Sequence, residues 1–211
     1  MAQIVPTVTA YSQLEYDQQV QRIAPFTKRV HLDLMDGEFA PTTSVPLKDL
    51  WWPHSFHEVD VHMMYQRPME HLEALIHLQP HMVIIHVETM FHHMHFAAEL
   101  HKENIKVGLS IMPDTPVANI EQIINSFDHL LIFSGNLGHY GGHANLDLLE
   151  KVQQAKAHHP DLEIGWDGGI NLENAKQLAD GGIDVLNVGG AVQKADNPAL
   201  AYKQLTELIS K

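Results

Sequence analysis

Residues 162–188 read LEIGWDGGINLENAKQLADGGIDVLNV. Two short apolar runs, Leu162 to Trp166 and Ile183 to Val188, flank an amphipathic stretch with Asn171 in front of it and Gly181-Gly182 behind it. An asparagine at a helix start offers its side-chain oxygen to unpaired N–H groups of the first turn, and glycine at the end permits the left-handed backbone that closes a helix. Ala175 and Leu178 supply the apolar face between those signals. The segment therefore reads as strand, helix, strand, the crossover unit of a parallel sheet.

The same unit recurs outward along the chain. Runs rich in Val, Ile and Leu return about every 25 residues: Gln3 to Thr9, Arg29 to Met35, His57 to Met63, Met82 to Val87, Lys106 to Met112 and His129 to Ser134 precede the two already quoted. Thr115-Pro116 places a cap and a first-turn proline before Ile120, Ile123 and Ile124, which predicts a helix there. Asn197-Pro198 repeats the device before the last helix, and Asn145 is a further cap. Leu47 to Trp52 leaves room only for a short helix before Pro53. No low-complexity stretch, charge block or Pro/Ser-rich linker marks a boundary, so residues 1–211 are expected to form one domain. Eight alternating strands in this length predict a single-domain (β/α)8 TIM barrel. An open doubly wound sheet usually carries a glycine-rich loop after its first strand, and Thr7-Val8-Thr9-Ala10 provides none.

Composition narrows the function classes. The 211 residues include no cysteine, 26 Asp and Glu against 13 Lys and Arg, and 17 histidines, for a formal charge of −13. Disulfides and thiolate metal sites are excluded. Nucleic acid is an unsuitable partner, because duplex binding needs clustered Lys and Arg. With 45% hydrophobic and 18% charged residues the chain has material for a sizeable core. No basic start followed by an apolar run, and no window of 18 apolar residues, occurs; the expectation is a soluble cytoplasmic protein with no membrane partner.

Barrel chemistry collects where strands end at their C-terminal edge. Three such ends carry ionisable groups: His31-Leu32-Asp33-Leu34-Met35-Asp36-Gly37, Asp60-Val61-His62-Met63-Met64 and Gly165-Trp166-Asp167-Gly168-Gly169. The period of two puts His31 and Asp33 on one face. His31, Asp33, His62 and Asp167 converging inside a ring of strands would make one divalent metal site, with N and O ligands suited to Zn, Fe, Mn or Co. Taken singly, each is an ordinary polar strand end. Together they would bury two carboxylates, which is costly without a compensating cation.

HLDLMDG, DVHMM, WDGGI and VLNVGGA, with the Ile4-Val5-Pro6-Thr7 start and the segment from Gly108 to Pro116, resemble in order and spacing the ribulose-phosphate 3-epimerases. The resemblance spans essentially the whole chain. It implies a phosphorylated ketose as substrate, a metal held by His31, Asp33, His62 and Asp167, and Asp33 and Asp167 as acid/base pair on opposite faces of the sugar. It also implies a homo-oligomer. Substrate contacts are then expected from Thr7, which keeps a hydroxyl where the family has serine, and from Met35 and Met64. The phosphate is expected on backbone amides of the glycine pairs Gly141-Gly142, Gly168-Gly169 and Gly189-Gly190.

Several segments depart from the family pattern. Asn136-Leu137-Gly138-His139-Tyr140-Gly141-Gly142-His143 has an extra residue and no proline after its asparagine. Phe39-Ala40-Pro41-Thr42 lacks the expected asparagine, and Phe133 stands where a third methionine is usual. These changes face the substrate and leave the ligand set intact, so they bear on which sugar is bound. His139, Tyr140 and His143 are candidate contacts in the altered loop. His86 and Glu88 share a strand face and could support the site from behind, whereas His92 and His95, one helical turn apart, read as solvated surface. Trp51 and Trp52 suit either a subunit contact or inward packing.

Competing classes leave other marks. An imine-forming aldolase needs a lysine at the C-terminal edge, and Lys106 starts its strand at the other end. The related decarboxylases carry Asp-x-Lys on one strand, which is absent here. Epimerisation of another pentulose or hexulose phosphate, or a non-catalytic sugar-phosphate-binding barrel, remain the alternatives.

Overall fold

The computed structural model describes residues 2–139 and 141–210. Its eight strands are β1 (Gln3–Thr9), β2 (Arg29–Met35), β3 (Glu58–Met64), β4 (Met82–His86), β5 (Lys106–Ile111), β6 (His129–Phe133), β7 (Glu163–Asp167) and β8 (Val185–Val188). They pair in parallel in sequence order, and β1 also pairs with β8, closing a (β/α)8 barrel. Helices α1 (Gln13–Ile23), α2 (Leu72–Leu78), α3 (His93–Lys102), α4 (Glu150–His158), α5 (Ala175–Asp180), α6 (Gly190–Gln193) and α7 (Pro198–Ile209) lie between and after the strands. Among the described residues, no helix is long and apolar enough to cross a membrane.

Alternation along each strand separates two environments. Val8, Leu32, Leu34, Val61, Met63, Ile85, Trp166, Leu186 and Val188 belong to the main apolar core under the helices. The residues between them, including Thr7, His31, Asp33, His62, His86, Asp167 and Asn187, therefore face the barrel axis. The quoted 162–188 unit folds as strand, helix, strand, with two shifts. Asn171 accepts the N–H of Glu173 in the turn ahead of α5, whose N-cap residue is Asn174. The N–H of Gly182, at φ +96°, donates to the carbonyl of Ala179 and that of Ile183 to the carbonyl of Leu178, the paired bonds of a Schellman turn. Ile183 is consumed by that turn, so β8 begins at Val185.

The segment after β5 corrects the sequence reading. Pro116 is extended, and the chain makes only two 3₁₀ turns, Val117–Asn119 and Ile124–Ser126. Thr115 does not cap a helix because its hydroxyl donates to Glu88 Oε1 at 2.5 Å and its carbonyl accepts from Lys151 Nζ at 2.8 Å. Val117, Ile120, Ile124 and Phe127 are still buried, so the apolar spacing served packing without a full helix. Asn197 and Asn145 cap as expected, accepting from the N–H of Leu200 and of Asp147. Trp51 is 40% exposed and donates from Nε1 to Asp17 Oδ1, while Trp52 packs inward on the core.

An ionic plug closes the N-terminal end of the barrel. Arg29 donates from Nε to Asp60 Oδ2 at 2.7 Å and holds Glu163 with both terminal nitrogens at 3.0 and 2.9 Å. His81 lies 2.8 Å from Asp60 Oδ1 and His129 2.8 Å from Glu163 Oε2. Burial opposes ionisation of both acids, but His81 and Arg29 hold Asp60, and His129 and Arg29 hold Glu163, below their ordinary values of 3.8 and 4.5. A depressed carboxylate adds stability that is complete above its unfolded value and lost as pH falls. Melting temperatures measured from pH 7 to pH 3 are expected to hold down to about pH 5 and then fall steeply. Arg29→Met should flatten that acid limb.

Candidate functional site

At the C-terminal end of the barrel, β2, β3 and β7 bring His31, Asp33, His62 and Asp167 together. One ligand atom from each lies within 4.8 Å of all the others, and among the described residues no second such group occurs. Asp33 Oδ1 is 3.2 Å from His31 Nε2 and 3.1 Å from His62 Nδ1; Asp167 Oδ2 is 3.9 and 3.8 Å from the same two nitrogens. The other Asp33 oxygen accepts the Thr9 hydroxyl at 2.6 Å, which turns Oδ1 inward.

A chain of groups runs behind His62. Glu88 accepts from the Met112 N–H and the Thr115 hydroxyl, and these bonds with His86 hold it at about 2, below its ordinary value although burial opposes that. An ionised Glu88 makes His86 Nδ1, 3.2 Å away, the donor. His86 Nε2 faces His62 Nε2 at 2.9 Å and His62 Nδ1 faces Asp33 Oδ1 at 3.1 Å, so Glu88, His86 and His62 form one buried line that ends at the Asp33 carboxylate. Burial, opposed by Asp33 and reinforced by His86, keeps His62 neutral, with its pKa pushed down to about 3.

Neither ring nitrogen of the fully buried His31 has a hydrogen-bond partner. A cation among these atoms would give it a partner. The residues therefore fit a divalent ion with two N and two O ligands. His86→Ala should weaken that ion by about 10- to 100-fold, since groups behind a ligand orient it. Calorimetric titration of metal into wild-type and variant apoprotein checks this; equal affinity would contradict a supporting role for His86.

The two carboxylates are driven apart. Burial, and then the negative charge of Asp33, push Asp167 up. Burial acts the same way on Asp33, but the His31 and His62 imidazoles beside it outweigh that and hold Asp33 well below the usual range. Paired groups tuned in opposite directions are suited to giving and taking a proton.

A cavity of about 260 Å³ opens over the cluster. It is lined by Thr7, Met35 and Met64, and by all three glycine pairs, Gly141-Gly142, Gly168-Gly169 and Gly189-Gly190. Gly168 must be glycine: φ is +114° and an added Cβ would lie 2.2 Å from the Gly135 nitrogen. The two segments that depart from the family pattern pack on each other. Leu137 and Phe39 cover Met35, Ala40 and Met64, and the Thr42 hydroxyl donates to the Gly138 carbonyl. Phe133 and His139 also line the cavity; His143 is exposed outside it, and Tyr140 lies outside the described residues. His92 and His95 are exposed, as read.

A family model for the ribulose-phosphate 3-epimerase family matches residues 3–193. The chain belongs to the ribulose-phosphate 3-epimerase family. Relatives named ribulose-phosphate 3-epimerase include one from Treponema pallidum, 30% identical over 77% of each chain, and one from Schizosaccharomyces pombe, 25% identical over 100% of this chain and 95% of its own. Among solved structures, KGPDC from Streptococcus mutans superposes with TM-score 0.75 at 8% identity, covering 100% of this chain and 98% of its own. For 3-hexulose-6-phosphate synthase from Salmonella typhimurium the TM-score is 0.71 at 15% identity, covering 99% and 98%. At such identities these two share the fold alone.

Two cavity-facing residues, Thr9 and Asn187, are additional to the site residues expected from the sequence. Thr9 sits two residues after Thr7 on β1, and Asn187 interrupts the apolar run of β8. The available signal for each was a polar residue at an inward-facing position of a strand.

Proposed function

We propose that this chain is a metal-dependent epimerase that inverts C3 of a ketose phosphate, interconverting ribulose 5-phosphate and xylulose 5-phosphate. The observation that carries the reading is the pairing of Asp33 and Asp167 in one buried cluster at the cavity. Inversion beside a ketone removes a proton from one face of the carbon and returns one to the other, so it needs two groups. Asp33, oriented by the Thr9 hydroxyl, takes the proton; Asp167, whose pKa burial and Asp33 push up to about 7, delivers one to the opposite face. In the reverse direction the roles exchange. The enediolate left between the two transfers carries negative charge on neighbouring oxygens. A Zn, Fe, Mn or Co ion held by His31, Asp33, His62 and Asp167 would supply positive charge to those oxygens and tune both carboxylates.

Met35, Met64 and Phe133 cover the reacting end with apolar surface and exclude water from it. The backbone amides at Gly141-Gly142, Gly168-Gly169 and Gly189-Gly190 hold the phosphate without a lysine, as the acidic chain requires. In this reading residues 1–211 act as one barrel domain, in the cytoplasm and as a homo-oligomer. The family likeness alone supports those last two points, and light scattering on the purified protein tests the oligomer.

A panel of ketose phosphates, assayed with and without chelator, tests the function. Ribulose 5-phosphate is expected to be turned over best, with activity lost to chelation and restored by one of the four metals. A different pentulose or hexulose phosphate turned over more than about tenfold better would favour the second reading, which the changed loops 39–42 and 136–143 support. Turnover undiminished by exhaustive chelation would remove the metal from the account.

A further inference from the structure

Asn187 lies inside the barrel on β8. Its strand neighbours Leu186 and Val188 pack outward in the main core, so Asn187 faces the axis, where it lines the cavity. Its register partners are Asp167 on β7 and Val5 on β1. The residue is 2% exposed, and neither Oδ1 nor Nδ2 has a hydrogen-bond partner. Thr7, also 2% exposed and lining the same cavity, has an unpartnered hydroxyl. Buried polar groups are nearly always paired, so an amide and a hydroxyl left without partners in the lining of one cavity mark where a polar ligand sits.

Position along the strand says which part of the ligand this is. Gly189-Gly190 begins two residues beyond Asn187, at about 3.3 Å per residue. A phosphate on those amides leaves Asn187 facing the carbon chain beside Asp167. A primary amide sets one donor edge next to one acceptor edge. An α-hydroxy ketone sets a carbonyl acceptor next to a hydroxyl donor, the complementary pattern. We propose that Asn187 reads the α-hydroxy-ketone unit of the substrate, Nδ2 donating to the carbonyl oxygen and Oδ1 accepting from the adjacent hydroxyl, with Thr7 bonding a further sugar oxygen. The assignment rests on the ketose-phosphate reading above and makes Asn187 a specificity residue: phosphorylated ligands without this unit leave the buried amide unpaired and are rejected.

Asn187→Leu keeps the branched shape and removes both edges. With metal-loaded protein, kcat/KM for ribulose 5-phosphate is expected to fall by about 100-fold or more. The inhibition constant of inorganic phosphate, which needs only the glycine amides, is expected to stay within about twofold. The melting temperature should be unchanged or higher, because an unpaired buried amide has been removed. Asn187→Ser, smaller and keeping one hydroxyl, should show an intermediate loss and decides the matter if the leucine variant fails to fold. A lowered melting temperature in either folded variant, with kcat/KM near wild type, would overturn the inference and make Asn187 structural. Weakened phosphate inhibition in parallel with kcat/KM would overturn it as well. Wild-type protein inert towards every ketose phosphate would defeat the reaction assignment and this inference together, whereas active wild type with equally active variants defeats this inference alone.

Discussion

Asp33→Asn and Asp167→Asn are each expected to lower kcat by on the order of 1,000-fold or more while leaving a folded barrel. An amide neither takes nor delivers the transferred proton, and each substitution also deletes one of the four clustered side chains that could hold a metal. The two variants should differ in stability. Asp167 is pushed up by burial and by the charge of Asp33, so replacing it removes an unfavourable charge, and its melting temperature should match or exceed wild type. Asp33 is favoured as an anion by His31 and His62, so its replacement should cost stability. Steady-state kinetics and thermal melts on the same preparations check both statements. Turnover within about tenfold of wild type in either variant would contradict the two-carboxylate mechanism.

Arg29→Ala is expected to have the largest effect on stability. Arg29 is 5% exposed and its guanidinium is the shared partner of Asp60, itself 1% exposed, and Glu163. Removing one member of a buried ion pair leaves the other charge uncompensated, at about 3–5 kcal/mol. For a chain of this size that corresponds to a melting temperature lower by on the order of 10 °C. The site lies at the opposite end of the barrel, so KM of the folded variant should be unchanged. Arg29→Met combined with Asp60→Leu removes both charges and should recover part of the loss. A fall of less than about 2 °C in Arg29→Ala would show that the plug is not a stabilising element.

The barrel was legible because its strands are buried on both faces and read as apolar runs, while Asn145, Asn197 and Gly181-Gly182 punctuate the helices between. The exception, after β5, arose because the signals of Thr115-Pro116 are local, whereas Glu88 and Lys151, distant in sequence, claim the hydroxyl and carbonyl of Thr115. The convergence of His31, Asp33, His62 and Asp167 was legible because a period of two and a known strand edge are enough to place them. His86 and Glu88 were recognisable as supporting groups, but the line of contacts from Glu88 through His86 to His62 needs coordinates. Thr9 and Asn187, the latter inside VLNVGGA, were hidden for a simpler reason: neither side-chain type signals chemistry in a strand, and only closure of the barrel shows what they face.

The central claim concerns proton traffic at one carbon, and exchange with solvent measures it directly. Ribulose 5-phosphate incubated with metal-loaded protein in deuterated water, followed by NMR, is predicted to acquire deuterium at C3 as xylulose 5-phosphate forms. Neither event should occur with Asp33→Asn. Failure of the wild-type protein to exchange the C3 proton of ribulose 5-phosphate, or of any other ketose phosphate, would contradict the account.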